Sequence, residues 1–257
     1  MNILSRLMKR EPEPAPRKAA PVARYLRGDR TGILQMRRAV TRDARHDVRE
    51  SADRAAALAL DFIHNSGWLA GAADQIISDT VGVELKLNAR PDLSRLGYDD
   101  AERAAWCRLV EAEWRRWSWT PSECDLAGKA TIAEMLDGVM RYYLAYGEAI
   151  GTLDYLTVRR QRVLGLETGT KVSLIAPHRL ARTTNEFEGL EQGIFHDAYG
   201  RAQLYRFKRR ESGMDVDHDV PAREVIHVMD RGDNPDSPRG ISVLAPILKV
   251  IAQADQL

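Results

Sequence analysis

Thr131-Ile-Ala-Glu-Met-Leu-Asp-Gly-Val-Met-Arg-Tyr-Tyr-Leu-Ala-Tyr-Gly147-Glu148-Ala-Ile-Gly-Thr-Leu-Asp-Tyr-Leu-Thr-Val158 is the stretch in which the chain changes its period. Thr131 and Glu134 stand at the spacing of a capping box, in which a hydroxyl and a carboxylate each take up a free amide at a helix start. Apolar residues then recur at helical spacing to Tyr146, and Gly147 follows as a left-handed stop. After Glu148 the period falls from near four to two. Ile150–Val158 and Lys171–Ala176 alternate as strands do, with the turn chemistry of Glu167-Thr-Gly-Thr170 between them.

The stretches on either side sort accordingly. Upstream, Ser51–Val81 reads as two helical pieces broken at Asn65-Ser-Gly67, and Gly82 ends the second. Val83-Glu-Leu-Lys-Leu87 alternates like a short strand. An acidic first turn, Asp99-Asp-Ala-Glu102, opens a helix over 99–119 that carries Trp106, Trp114 and Trp117. Downstream, Gly193 to Phe207 reads as a hairpin turning at Asp197–Gly200, and Val225–Met229 as a strand. A last apolar helix is expected from Val243 to Leu257. Helices followed by antiparallel strands and hairpins make an α+β fold rather than a parallel βαβ sheet. The domain division expected is a basic, Pro-containing arm over 1–54 and an α+β body over 55–257.

Composition bounds the function. The 257 residues suffice for a sizeable core, and 44% apolar against 29% charged is an ordinary globular balance. No run of eighteen apolar residues marks a membrane span. Cys107 and Cys124 lack metal or redox spacing, which suits a reducing compartment. The net charge of +1 hides an asymmetry: residues 1–54 hold 14 Lys/Arg against 7 Asp/Glu, and the remainder hold 24 against 30. Arg37, Arg38, Arg42, Arg45 and Arg49 are therefore candidate nucleic-acid contacts, weighed against the plainer reading of a solvated tail.

Catalytic templates fail. The nearest approach to a phosphate-binding loop, Ala127-Gly-Lys-Ala-Thr131, has Glu123 at its first glycine position and Ala130 in place of the magnesium-binding hydroxyl. There is no nucleophile elbow and no zinc-deaminase signature, and the six histidines are scattered. Asp215-Val-Asp-His-Asp219 is the one metal-like cluster, and it reads more simply as a solvated loop between strands. Trp114 and Trp117 share a helix face from which Arg115 and Arg116 turn away, which favours an aromatic packing face over base stacking. Arg206-Phe-Lys-Arg-Arg210 ends a strand, facing phosphate or simply water. No enzyme, cofactor or metal is expected.

Seven blocks in order, from about residue 60 to 257, resemble the lambda family of tailed-phage portal proteins. His64-Asn65 through Val81-Gly82 is similar to the family's helix ending at Val-Gly. Trp114-Arg-Arg-Trp117 with Cys124-Asp125-Leu-Ala-Gly128 resembles its tryptophan-to-Asp-x-x-Gly segment, and Gly147-Glu148 the Gly-Glu closing the next helix. Val172 to Leu180 resembles the strand-Pro-x-Arg-Leu element. Gly193-Ile, Asp197, Gly200-Arg201 and Tyr205 match the hairpin, and Val220 to His227 and Arg239-Gly240-Ile-Ser242 the last strand and turn. Asn234-Pro-Asp-Ser-Pro238 replaces the family's Pro-Gly-Gln loop, and Val83-Glu its Gly-Ile.

The resemblance implies a wing-like α+β body, with the motif residues Asn65, Gly82, Trp117, Asp125, Gly128, Gly147, Glu148, Gly193, Asp197, Gly200, Arg201, His227, Arg239 and Gly240 in structural roles. It implies a homo-oligomeric ring, a dodecamer in the full-length family, at one capsid vertex of the virion and assembled in the bacterial host cytoplasm. Its partners would be capsid protein, terminase, head-completion proteins and the double-stranded DNA that passes through during packaging and ejection, with no membrane. The family continues beyond the Arg-Gly-Ile-Ser helix, so a truncated copy is expected. A soluble nucleic-acid-binding module using the basic arm is the alternative, and a metal-dependent nuclease on Asp215, Asp217 and Asp219 a third.

Overall fold

Two helices open the described body, and both are held by the spacing of small apolar residues. The computed structural model describes residues 43–82, 85–231 and 235–255. Helix α1 (Ala44–Asn65) buries Val48, Ala52, Ala56, Ala59 and Ile63 along one stripe, and α2 (Gly67–Val81) buries Leu69, Ala73 and Ile77. Ser66 separates them: its Oγ accepts from the Leu69 amide and donates to Asp255 in the last turn of the chain. The division expected at 54/55 falls inside α1.

Helix α3 (Asp100–Trp119) starts on a full capping box between Asp99 and Glu102, and α4 (Pro121–Cys124) is a single turn behind it. Helix α5 (Ile132–Tyr146) has the capping box expected of Thr131 and Glu134 and ends on Gly147 at φ 72°. The C-terminal turn of α5 (Leu144, Ala145, Tyr146) joins Ala56, Ala59, Ile63, Leu69, Ala73, Leu244 and Leu248 in the helical core.

Strand β1 (Glu148–Tyr155) leaves this core as the middle of a three-stranded antiparallel sheet, between β2 (Thr170–Ile175) and β7 (Val225–Met229). A second antiparallel sheet is a meander of β3 (Leu190–Glu191), β4 (Ile194–His196), β5 (Ala202–Glu211) and β6 (Met214–Pro221). Ile150 of β1 packs with Leu180, Ile194, Tyr205 and Phe207, which closes the second core between the sheets. β1 is buried from Glu148 to Thr152, as a central strand covered on both faces must be. The order of helices before antiparallel strands is the α+β arrangement expected.

Four local expectations are corrected. Of the strand expected over Val83–Leu87, residues 83 and 84 lie outside the described residues and 85–87 form no strand; the segment instead runs beside α3, where the Ala89 amide donates to Glu111, and no strand among the described residues pairs with it. The strand expected to reach Val158 stops at Tyr155, and Val158–Leu164 forms helix α6, made of the helix-favouring run Arg-Arg-Gln-Arg and closed by Gly165 in the left-handed region. Asp215–Asp219 lies within β6, not in a loop. Arg206, Lys208 and Arg210 of β5 stand opposite Asp219, Asp217 and Asp215, so a ladder of opposite charges sets the register. The turn joining the two strands is Ser212-Gly213, both at positive φ, a mirror-type two-residue hairpin. Finally, the helix expected from Val243 is a run of turns up to Ile247, and α7 (Leu248–Ala254) begins only beyond Pro246, which has no amide to donate and restricts the residue before it.

Candidate functional site

Glu148 is the first residue of β1 and is 1% exposed, an expensive place for a carboxylate unless it is paired. Arg239, whose side chain is fully buried, supplies the charge. Its Nε donates to both Glu148 oxygens at 2.8 and 3.0 Å and its Nη2 to Oε1 at 2.5 Å, a fork-on-fork contact. The remaining guanidinium donors reach the carbonyls of Gln192 at 3.1 Å and Pro177 at 3.0 Å, and the Gly240 amide donates to Glu148 Oε2 at 2.9 Å. His227 on β7 completes the group: its Nε2 lies 3.1 Å from Glu148 Oε2, and the Tyr205 hydroxyl 3.4 Å from its Nδ1. A carboxylate only accepts, so Nε2 carries the proton and Nδ1 is free to accept from Tyr205.

The electrostatics follow from this geometry. Burial by itself would push the Glu148 carboxyl up, but the Arg239 charge, the hydrogen bonds from His227 and Arg239 and the His227 ring outweigh it and hold the group at about 2. The one negative and one positive charge cancel inside the protein. Burial pushes the Tyr205 hydroxyl up. Neither charge is presented to solvent: Arg239 is used on Glu148 and on backbone carbonyls, and Glu148 on Arg239, His227 and the Gly240 amide. The node ties five chain segments together, namely the start of β1, β7, the loop at 237–242, the 177–179 turn and the β3–β4 turn.

Backbone meets backbone at the same place. A Cβ on Gly147 would lie 2.0 Å from the Ile241 carbonyl oxygen, and one on Gly240 would lie 2.4 Å from that of Gly147. With Gly147 also at positive φ, no other residue fits the crossing without moving one of the chains. Gly193 makes a second such approach, 2.2 Å from the Ala181 carbonyl to a would-be Cβ. Ser242 Oγ donates to the Leu144 carbonyl, fastening the same loop to the end of α5.

A second polar cluster joins α4 to β2. Lys171 is 1% exposed and donates to the carbonyls of Ser122 at 2.9 Å and Glu123 at 2.6 Å, with the Glu123 carboxylate 3.5 Å away. That carboxylate also accepts from the amides of Glu167 and Thr168 and from the Thr168 hydroxyl. Burial pushes Glu123 up, yet the Thr168 hydrogen bonds and Lys171 prevail and hold it below the usual carboxylate range. Next to it, Asp125 accepts from the amides of Ala127, Lys129 and Ala130, so the amides that a phosphate loop would aim outward are turned onto a carboxylate.

The motif residues thus fall into four groups. Gly147, Glu148, Gly193, His227, Arg239 and Gly240 converge on the buried node. Trp117, which donates to the Thr170 carbonyl at 3.2 Å, Asp125 and Gly128 belong to the α3–α4–β2 cluster. Asp197, Gly200 and Arg201 build the β4–β5 turn, where Asp197 accepts from the amides of Tyr199 and Arg201. Asn65 and Gly82 end α1 and α2. Of the five candidate nucleic-acid arginines, Arg37, Arg38 and Arg42 lie outside the described residues. Arg45 and Arg49 project from α1 toward Glu191 at 4.0 and 3.7 Å, and Arg49 also toward Glu186 at 3.4 Å.

Arg206 of the basic strand is held bidentately by Asp219 at 2.8 Å, its guanidinium 4.7 Å from the centre of the Phe195 ring. Trp114 and Trp117 are half-buried neighbours, their rings 5.4 Å apart and tilted at 47° to each other. The sequence assigned no role to Lys171 or Gln192, and Glu123 entered only as a residue that breaks the phosphate-loop pattern. Of Lys171 and Gln192, only Lys171 left a trace, as a charge on the inward phase of an alternating strand.

The sequence over residues 30–257 matches the family described as phage portal protein, lambda family. A search among curated proteins found no match. No described helix is long and apolar enough to cross a membrane. The buried node gathers residues from the Gly-Glu, hairpin, His227-strand and Arg-Gly-Ile-Ser blocks, and the match spans all of them: the chain belongs to the lambda family of phage portal proteins.

Proposed function

We propose that this chain is a structural subunit of a head–tail connector, a ring of identical copies at one capsid vertex through which double-stranded DNA is packaged and ejected. The family match over residues 30–257 carries this reading. The chemistry of the buried node is of the same kind: its charges fasten segments to one another and face each other and backbone rather than solvent. In this role the subunit draws no energy from nucleotide itself. Capsid protein, a terminase motor and head-completion proteins are its proposed partners, and the virion its place.

A ring of one chain requires a heterologous contact that closes on itself. Light scattering on the purified chain over a concentration series reads this directly. A discrete mass of many subunits is expected. A chain that stays monomeric at every concentration, and instead binds duplex DNA tightly with a steep salt dependence, would overturn the ring and favour a DNA-binding module.

A further inference from the structure

Two exposed faces of opposite charge leave apolar side chains uncovered, and they lie at different ends of β1. The first is helix α6, which has no buried residue; Val158, Val163 and Leu164 on it, and Tyr155 just before it, are 55, 79, 56 and 71% exposed. From Tyr155 to Leu166 the chain has three arginines, Arg159, Arg160 and Arg162, and no acidic residue, and among the described residues none of the three is ion-paired. The second is the outer face of α2, where Trp68 is 80% and Ile76 44% exposed beside Gln75 and Asp79. From Ala55 to Leu85 there is no lysine or arginine. Among the described residues Asp79 meets only the neutral amide of Gln75, at 2.9 and 3.0 Å.

We infer that α6 of one copy docks on the Trp68–Asp79 face of α2 in the next. The inference rests on the ring reading above and names the surfaces by which neighbouring copies meet. Nucleic acid would satisfy the arginines but leaves Val158, Val163 and Leu164 unexplained, whereas a protein face covers both. The complementary surface is present on the chain itself, acidic where α6 is basic and offering an aromatic anchor of the kind that dominates interfaces. One copy does not use both on itself. α2 packs beside the end of α5 from which β1 departs, and α6 follows β1 at its other end, a strand of about 25 Å away. Two different faces so separated make a head-to-tail contact, the type that builds rings.

The test is sedimentation of the full chain as wild type, as Arg159→Glu/Arg162→Glu, as Gln75→Lys/Asp79→Lys, as Trp68→Ala, and as an equal mixture of the two charge-reversed variants. All the substituted residues are exposed, so the fold is retained, which circular dichroism verifies. Each variant alone is expected to raise the concentration for half-assembly roughly tenfold or more, and added salt to weaken the wild type. The mixture is expected to reassemble in a one-to-one ratio, because both contacts are again between opposite charges. Assembly that survives either reversal, or a mixture that stays apart, overturns this interface and leaves the ring standing. A wild type that never assembles overturns the ring and this interface with it. Loss of duplex-DNA binding on Arg159→Glu/Arg162→Glu with assembly unchanged assigns α6 to nucleic acid and also overturns it.

Discussion

Replacing Arg239 by methionine removes the guanidinium charge from the buried node while leaving the Glu148 carboxylate in place. The carboxylate then lacks its guanidinium partner and the carbonyls of Gln192 and Pro177 lose their donors, a change on the order of 3–5 kcal/mol. For a body of this size that lowers the melting temperature by roughly 10 °C. The double variant Glu148→Gln/Arg239→Met removes both charges and is expected to recover about 2 kcal/mol or more of the loss.

The pH dependence separates this from a mere packing defect. In the wild type the carboxyl sits at about 2 when folded against 4.5 when unfolded, so its contribution is fully present above 4.5 and is lost as pH falls toward 2. That gap is worth about 3 kcal/mol. With Arg239 gone, burial dominates and pushes the carboxyl up. The single variant therefore gains on the wild type as the pH is lowered and Glu148 takes up a proton. Urea titrations of the wild type, the single variants and the double variant between neutral pH and pH 4 measure both effects. A single variant that loses less than about 1 kcal/mol, or that matches the double variant at every pH, would refute the assignment of Glu148 and Arg239 as a coupled pair.

Other consequences are as specific. Gly147→Ala places a methyl group 2.0 Å from the Ile241 carbonyl oxygen and is expected to abolish soluble folded protein, whereas Gly200→Ala, also at positive φ but with open space around it, costs about 1–2 kcal/mol in a thermal melt. Lys171→Met strands the carbonyls of Ser122 and Glu123 and the Glu123 carboxylate; a loss of about 2–4 kcal/mol is expected, with faster hydrogen exchange at the Glu167 and Thr168 amides. Arg49→Ala breaks contacts only with the acidic side chains of Glu186 and Glu191, so it shifts stability by no more than about 1 kcal/mol. If the basic arm binds DNA, removal of residues 1–42, with 11 of the 14 Lys/Arg before residue 55, flattens the salt dependence far more than Arg49→Ala does.

What the sequence made legible were the elements governed by neighbours in the chain. The acidic first turn at Asp99–Glu102, the capping box at Thr131, the break at Asn65–Gly67, the stop at Gly147 and the Asp197–Gly200 turn are all written within a few residues, and all are present. Failures came where distant partners decide. Val83–Leu87 has the alternation of a strand, but 85–87, the part of it among the described residues, pairs with no described strand. Asp215–Asp219 looks like a solvated loop until β5 brings Arg206, Lys208 and Arg210 opposite it. Ile150–Val158 alternates well enough to carry β1 to Val158, yet the strand stops at Tyr155, and the arginines and Gln161 that follow favour a helix. The node itself was legible only as separate blocks, because Glu148 and Arg239 are 91 residues apart and neither announces its partner. Lys171 needed a structure to show that its charge is spent on backbone carbonyls.

Electron microscopy of the purified full chain tests the central claim, that these fastened segments form the rigid subunit of a connector. Top views of closed rings with a central hole, of one fixed rotational symmetry, are predicted. Isolated monomers, or closed two-fold dimers without a hole, would contradict it.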